Sequence, residues 1–207
     1  MNPRLSIPRK ASGGLMDAQL LKSAARPDQF PPDTLPEIAF LGRSNVGKSS
    51  LLNCLTGQRG LAFTSSTPGR TQLINFYRVG EKFHFVDLPG YGFARVPKEV
   101  AFHWKQLIEQ YLFHRRSLQL CFLILDARRG WMDQDLELKH WLEFHNRRYV
   151  VIATKTDKLK GQKEQRLQAA AIRRESPDNE PLPFSAPSCR GVREIWQAIS
   201  TIQNKQQ

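Results

Sequence analysis

Eight residues, Gly42-Arg43-Ser44-Asn45-Val46-Gly47-Lys48-Ser49, carry the spacing of a phosphate-binding loop: Gly, four residues, then Gly-Lys-Ser. Gly42 and Gly47 allow the backbone N–H groups of Arg43, Ser44, Asn45 and Val46 to curl around an anion. Lys48 supplies a point charge for the β- and γ-phosphates, and the Ser49 hydroxyl is a ligand for Mg²⁺. The apolar run Ile38-Ala39-Phe40-Leu41 before the loop predicts a strand, and SLLNCL after it predicts a helix whose positive dipole end faces the same anions. Together they imply a nucleoside triphosphate site.

Further along, Asp87-Leu88-Pro89-Gly90 closes the apolar strand FHFV. A carboxylate there can hold Mg²⁺ through water while the Gly90 amide reaches the γ-phosphate; Asp-x-Pro-Gly is also a common turn. Between the two lies Thr67-Pro68-Gly69-Arg70-Thr71-Gln72-Leu73, placed as a first switch segment, in which Thr71 offers a hydroxyl to Mg²⁺ or simply starts the next strand. Thr154-Lys155-Thr156-Asp157 follows the strand YVVIA. The Asp157 carboxylate can accept guanine N1–H and the exocyclic amine, a donor pair that adenine lacks, and the Lys155 stem can lie along the base. The segment Phe184-Ser185-Ala186 then brings backbone groups to the guanine oxygen. These motifs, in this order at strand ends, imply GTP and GDP as ligands, with Lys48, Thr71 and Gly90 nearest the reacting phosphate.

The elements that must position these residues alternate. Strand 38–42, helix 48–57, strands 72–79 and 83–87, helix 98–115, strand 119–126, helix 133–147, strand 149–154, helix 161–175, a short strand 182–185 and helix 190–203 are expected. The pattern predicts an α/β fold, a three-layer P-loop GTPase domain with a mostly parallel sheet and one antiparallel edge. Ligands of such sheets lie at the C-terminal strand ends. Residues 1–36 read as a loosely docked, Pro-rich arm, residues 37–203 as the G domain and 204–207 as a tail.

At 207 residues the chain suits one domain, and its formal net charge of +12 suggests a polyanionic partner. Arg pairs at Arg115-Arg116, Arg128-Arg129, Arg147-Arg148 and Arg173-Arg174 could meet nucleic-acid phosphates or complement helix C-termini. Cys54, Cys121 and Cys189 are far apart without a CxxC pair, which predicts a reducing compartment and neither a disulfide nor a zinc site. The five histidines lack metal-ligand spacing, and Trp104, Trp131, Trp141 and Trp196 suit core or interface positions. No apolar run has the length of a membrane span or marks a secretory signal, so an intracellular, soluble protein without a membrane partner is expected.

GRSNVGKSSL, TPGRTQLINF, DLPGYGFA, LILDARRG and TKTDKL resemble the signatures of the EngB (YihA/YsxC) GTPases, in the TrmE-Era-EngA-EngB-Septin-like class, over roughly residues 37 to 200. The resemblance implies a bacterial or organellar factor in large ribosomal subunit assembly, linked to cell division and septation, with ribosomal RNA as partner; a monomer in the bacterial cytoplasm is expected. The chain departs from the pattern at Thr156, where the family usually has Ala, and carries Thr154 where most GTPases carry Asn; loss of that amide predicts a looser tie to the phosphate loop. Tyr91 stands where Ras-like proteins place the water-orienting Gln, which predicts slow hydrolysis; no Arg is clearly placed as an internal finger, and Arg70 is a candidate for that role or equally for binding a partner. Asn45 matches the K⁺-binding Asn of related potassium-stimulated GTPases. A phosphate-loop kinase, or an RNA-binding module that holds nucleotide without turnover, are the competing readings.

Overall fold

The apolar runs of the sequence assemble into one seven-stranded sheet in the order β1-β3-β4-β2-β5-β6-β7. The strands are β1 (Ala18–Ala24), β2 (Glu37–Gly42), β3 (Ile74–Val79), β4 (Phe83–Asp87), β5 (Leu118–Asp126), β6 (Tyr149–Thr154) and β7 (Leu182–Pro183). The helices are α1 (Lys48–Thr56), α2 (Lys98–His114), α3 (Asp133–Phe144), α4 (Gly161–Glu175) and α5 (Val192–Gln203). The structure, a computed structural model, describes residues 17–62, 73–91 and 98–203.

Strand β5 shows why the chain folds in three layers. Cys121, Leu123 and Leu125 face one core, with Tyr111 and Leu112 of α2, Leu142 of α3 and Ile172 of α4. Their neighbours Leu120, Phe122 and Ile124 face the other, with Leu51, Leu52 and Leu55 of α1 and Ile195, Ile199 and Ile202 of α5. Both faces are apolar, so the strand reads as a continuous hydrophobic run and must be covered on both sides. Parallel pairing of β4, β2, β5, β6 and β7 brings the ends of β2, β4, β5 and β6 to one rim.

Two sequence expectations change here. Residues 18–24, assigned to the loose arm, form β1, which pairs antiparallel with β3 while burying Ala18 and Ala24. The intervening residues of β1 are largely exposed, so the segment carries little hydrophobic signal. The antiparallel β3–β4 hairpin turns at Gly80 (φ 55°), and β1 extends it to the sheet edge. At the far end, β7 is only two residues long; Ser185 instead bridges to Arg190 and α5 starts at Val192.

Opposite the strand-end rim, Glu37 opens β2 completely buried. Its carboxylate accepts from Arg115 Nη2 at 2.6 Å, Arg115 Nε at 2.9 Å and the Tyr111 hydroxyl at 3.0 Å. Arg115 Nη2 also donates to the Pro31 carbonyl at 2.7 Å, which docks the segment before β2. Burial pushes the Glu37 carboxyl up, but its approach to His84 and its bonds with Arg115 and Tyr111 outweigh that and hold it below the usual range. Arg115 is therefore structural and unavailable to an external anion.

Candidate functional site

Chain reversal between β2 and α1 builds the anion cradle. A Cβ on Gly42 would lie 2.9 Å from both the Ile124 carbonyl oxygen and Val46 Cγ1, so β2 could not approach β5 this closely with a side chain there. Gly47 caps α1 at φ 106°, and Asn45 adopts the left-handed region at φ 61°. The turn delivers Lys48 and Ser49 into the first turn of α1, where the free N–H groups and the dipole favour a phosphate.

Lys48 is held by the end of β4. Its ammonium donates to the Asp87 carboxylate and, at 2.6 Å, to the Leu88 carbonyl. The β4 carboxylate and the first turn of α1 thus sit one side chain apart. An aspartate and a serine hydroxyl are hard oxygen donors of the kind Mg²⁺ prefers, so these residues fit that ion.

Past Asp87, the chain is zipped onto the phosphate loop. Ser44 N–H donates to the Tyr91 carbonyl at 3.0 Å, and the Ser44 hydroxyl to the Gly90 carbonyl at 3.3 Å. A Cβ on Gly90 would meet Ser44 Oγ at 2.9 Å and Ser44 backbone atoms at 3.1 Å, so only glycine permits this contact. Leu88 is buried, and Pro89 precedes the turn. Tyr91 points away from the cradle: its hydroxyl donates to Asp135 at 2.8 Å. Burial, reinforced by Asp135, pushes the phenol well above its ordinary value, so it stays protonated as a donor. Asp135 in turn accepts the Met132 N–H at 3.1 Å, capping α3.

At the end of β6 the Thr154 hydroxyl lies 2.6 Å from the Val46 carbonyl and 2.9 Å from that of Leu125. The expected loosening is corrected: a shorter side chain reaches the phosphate loop because β6 and the loop approach closely. Lys155, left-handed at φ 59°, sends its ammonium to the Asn45 carbonyl at 2.6 Å and to Asp126 at 2.9 Å. Asp126 is also gripped by Arg128 at 2.6 and 2.9 Å. Despite burial, the bonds from Arg128 and Lys155 hold the Asp126 carboxyl far below its usual value. Asp157 follows in a short 3₁₀ turn, where Ser185 Oγ donates to it at 3.0 Å and presets the carboxylate. Thr156 uses its extra hydroxyl on the Phe184 carbonyl at 3.0 Å, binding the two base-side segments together, and Ala186 follows on the same loop.

The structure therefore gathers Gly42 through Ser49, Asp87 through Gly90, and Thr154 through Asp157 with Phe184, Ser185 and Ala186 at one rim. Gly69, Arg70, Thr71 and Gln72 lie outside the described residues, as do Gly92 and Phe93; Leu73 precedes β3. Asp126 and Asp135 were not singled out in the sequence, although Asp126 ends a strand just as Asp87 does.

One prediction is overturned. Cys54 and Cys189 are joined in a disulfide, their Cα atoms 5.6 Å apart. They are 135 residues apart in sequence, and the packing of α1 beside α5 on one sheet face brings them together. Cys121 is buried and free, as expected of its apolar run.

A glycine-bounded loop running into α1, the strand-end Asp87 and the Asp157 carboxylate after β6 give this sheet the arrangement of a P-loop GTPase. The chain matches the family described as "50S ribosome-binding GTPase" over residues 37–155. It is 65% identical over 186 residues to "Probable GTP-binding protein EngB" of Solibacter usitatus (strain Ellin6076), covering 90% of this chain and 96% of that one. The protein of the same description from Syntrophus aciditrophicus (strain SB) is 47% identical over 185 residues, covering 89% and 94%. The chain belongs to the EngB family of GTP-binding proteins and is a GTPase. Among solved structures, a probable GTP-binding protein engB superposes with a TM-score of 0.68 at 24% identity, covering 82% of this chain and 99% of that one. Era in complex with MgGDPNP and nucleotides 1506-1542 of 16S ribosomal RNA superposes at 0.64 and 23% identity, covering 80% and 55%. At these identities the superpositions bear on the fold alone.

Proposed function

We propose that this GTPase is a slow molecular switch in assembly of the large ribosomal subunit, working as a monomer in the bacterial cytoplasm, and that any part in cell division and septation is exercised through the same switch. The observation that carries the switch is the zipper between Ser44 and Gly90-Tyr91: the loop that would hold phosphate and the segment that would sense it are one bonded unit. The family's ribosome-binding description and the +12 charge support the partner, ribosomal RNA or the precursor particle. Among the described residues exposed Arg116, Arg129 and Arg174 form no ion pair and can meet phosphates, whereas Arg115 is occupied by Glu37 and Arg128 by Asp126.

In this reading the backbone from Gly42 to Gly47 cradles the phosphates of GTP, and Lys48 exchanges its contacts with Asp87 and Leu88 for the β- and γ-phosphates. Ser49, Thr71 and Asp87 would hold Mg²⁺, which would supply positive charge to neutralise the transferring phosphoryl group. Asp157 reads guanine, with Lys155 along the base and Ser185-Ala186 at its oxygen; Gly69, Arg70, Gln72 and Leu73 line the first switch. Hydrolysis delivers the γ-phosphate to water, giving GDP and phosphate. Tyr91, committed to Asp135, orients no water, so turnover of the isolated protein is slow. Asn45, exposed at the crest of the loop, is assigned K⁺; equal hydrolysis in Na⁺ and K⁺ would remove that role.

Co-sedimentation with large-subunit precursor particles at fixed physiological salt tests the assignment. Tight binding with a non-hydrolysable GTP analogue, and weak binding with GDP or an ATP analogue, is expected. Binding indifferent to nucleotide would mean that charge alone drives association.

A further inference from the structure

We infer that Cys54 and Cys189 are an oxidation-sensitive thiol pair that clamps the guanine-side loop and slows release of bound nucleotide. The inference rests on the proposed guanine site at Asp157 and Ser185-Ala186. Cys54 occupies the last turn of α1, the helix that starts at the phosphate loop, and Cys189 lies three residues past Ala186. Both sulfurs pack on the Ala186 carbonyl, at 3.7 and 3.8 Å, so their link sits against the backbone that would meet the base. The bond joins the two halves of one ligand site, and no other covalent contact does so among the described residues.

The loop is otherwise shaped without the cysteines. Ser185 N–H donates to the Arg190 carbonyl at 3.1 Å, and a Cβ on Gly191 (φ 96°) would fall 2.0 Å from the Pro183 carbonyl oxygen. Reduction therefore leaves the guanine site built but free to open, whereas the closed bond restrains the path by which the base leaves. Cys189 is exposed, with a left-handed backbone (φ 50°), so a small oxidant reaches its sulfur from solvent. Cys121 provides the contrast: burial pushes its thiol up to about 12, and no solvent reaches it. Disulfides in a cytosol are commonly transient and regulatory, which suits a pair at the edge of a switch site.

The chemistry balances with a hydroperoxide as oxidant. The Cys189 thiolate attacks a peroxide oxygen of hydrogen peroxide and breaks the O–O bond, leaving a sulfenic acid and, after protonation, one water. The Cys54 sulfur then attacks the sulfenic sulfur, the S–S bond forms, and hydroxide leaves as the second water. Two thiols are oxidised by two electrons and one peroxide is reduced to two waters.

The test compares the full chain reduced with dithiothreitol and oxidised with hydrogen peroxide, following intact mass and the release of fluorescent GDP. The oxidised protein is expected to be lighter by two hydrogens and to release GDP about fivefold more slowly. Cys54→Ser and Cys189→Ser each abolish both changes, while Cys121→Ser keeps them. Failure of the reduced mass to fall under peroxide, or equal GDP release from both forms, overturns the clamp. If neither form bound GDP, the guanine reading itself would fall and the clamp with it, even if the mass change showed the thiol pair to be real.

Discussion

The Thr154 hydroxyl lies 2.6 Å from the Val46 carbonyl, so the end of β6 that leads into Asp157 is bonded directly to the phosphate loop. The bond is buried, and its loss leaves the Val46 carbonyl without that donor. Thr154→Val keeps the shape and removes the hydroxyl; GDP affinity should fall by about 5- to 10-fold, in line with a net hydrogen bond of roughly 1 kcal/mol. Thr154→Asn should restore it. Fluorescence titration with labelled GDP checks both.

Asp157 is held ready by Ser185 at 3.0 Å. Asp157→Asn replaces an acceptor by an amide that can donate. Affinity for GTP should fall by at least about 100-fold, since guanine donors then face a donor. Xanthosine nucleotides, which carry a carbonyl where guanine has its amine, should gain. Competition titration measures the exchange, and equal loss of both nucleotides would show that Asp157 only supports the fold.

Tyr91 ties the segment after β4 to α3 through Asp135. Tyr91→Ala should weaken binding to precursor particles in the GTP-analogue state while leaving GDP affinity within about twofold, because the Ser44 bond to the residue-91 carbonyl uses backbone alone. Co-sedimentation and nucleotide titration on the same preparation separate the two effects; unchanged particle binding would count against Tyr91 as a transmitting residue.

Glu37 sets an acid limit on stability. Its carboxyl is depressed in the folded protein, so it contributes stability above the ordinary glutamate value of about 4.3, and that contribution disappears as pH falls through the folded value. Glu37→Gln should remove this acid dependence and destabilise by about 3 kcal/mol at neutral pH, because Arg115 keeps its charge with only Asp33 opposite. Urea melts between pH 3 and 7 would show a flatter profile for the variant.

The phosphate loop, Asp87-Leu88-Pro89-Gly90 and Thr154 through Asp157 were legible because each concentrates its chemistry in contiguous residues at the end of an apolar run. The alternating elements gave the sheet for the same reason. Strand β1 has no sequence signal because only Ala18 and Ala24 are buried and its pairing with β3 is long-range. Asp126, Asp135 and the Cys54–Cys189 bond depend on partners up to 135 residues away, which spacing along the chain cannot reveal. The Arg pairs were half legible: charge was visible, but the capture of Arg115 by buried Glu37 was not.

The most direct measurement is nucleotide turnover by the purified protein with Mg²⁺, alone and with large-subunit precursor particles. Slow hydrolysis of GTP, none of ATP, and acceleration of GTP hydrolysis by the particles are the predicted results. Equal hydrolysis of ATP, or GTP turnover that particles leave unchanged, would contradict a guanine-specific switch acting on the ribosome.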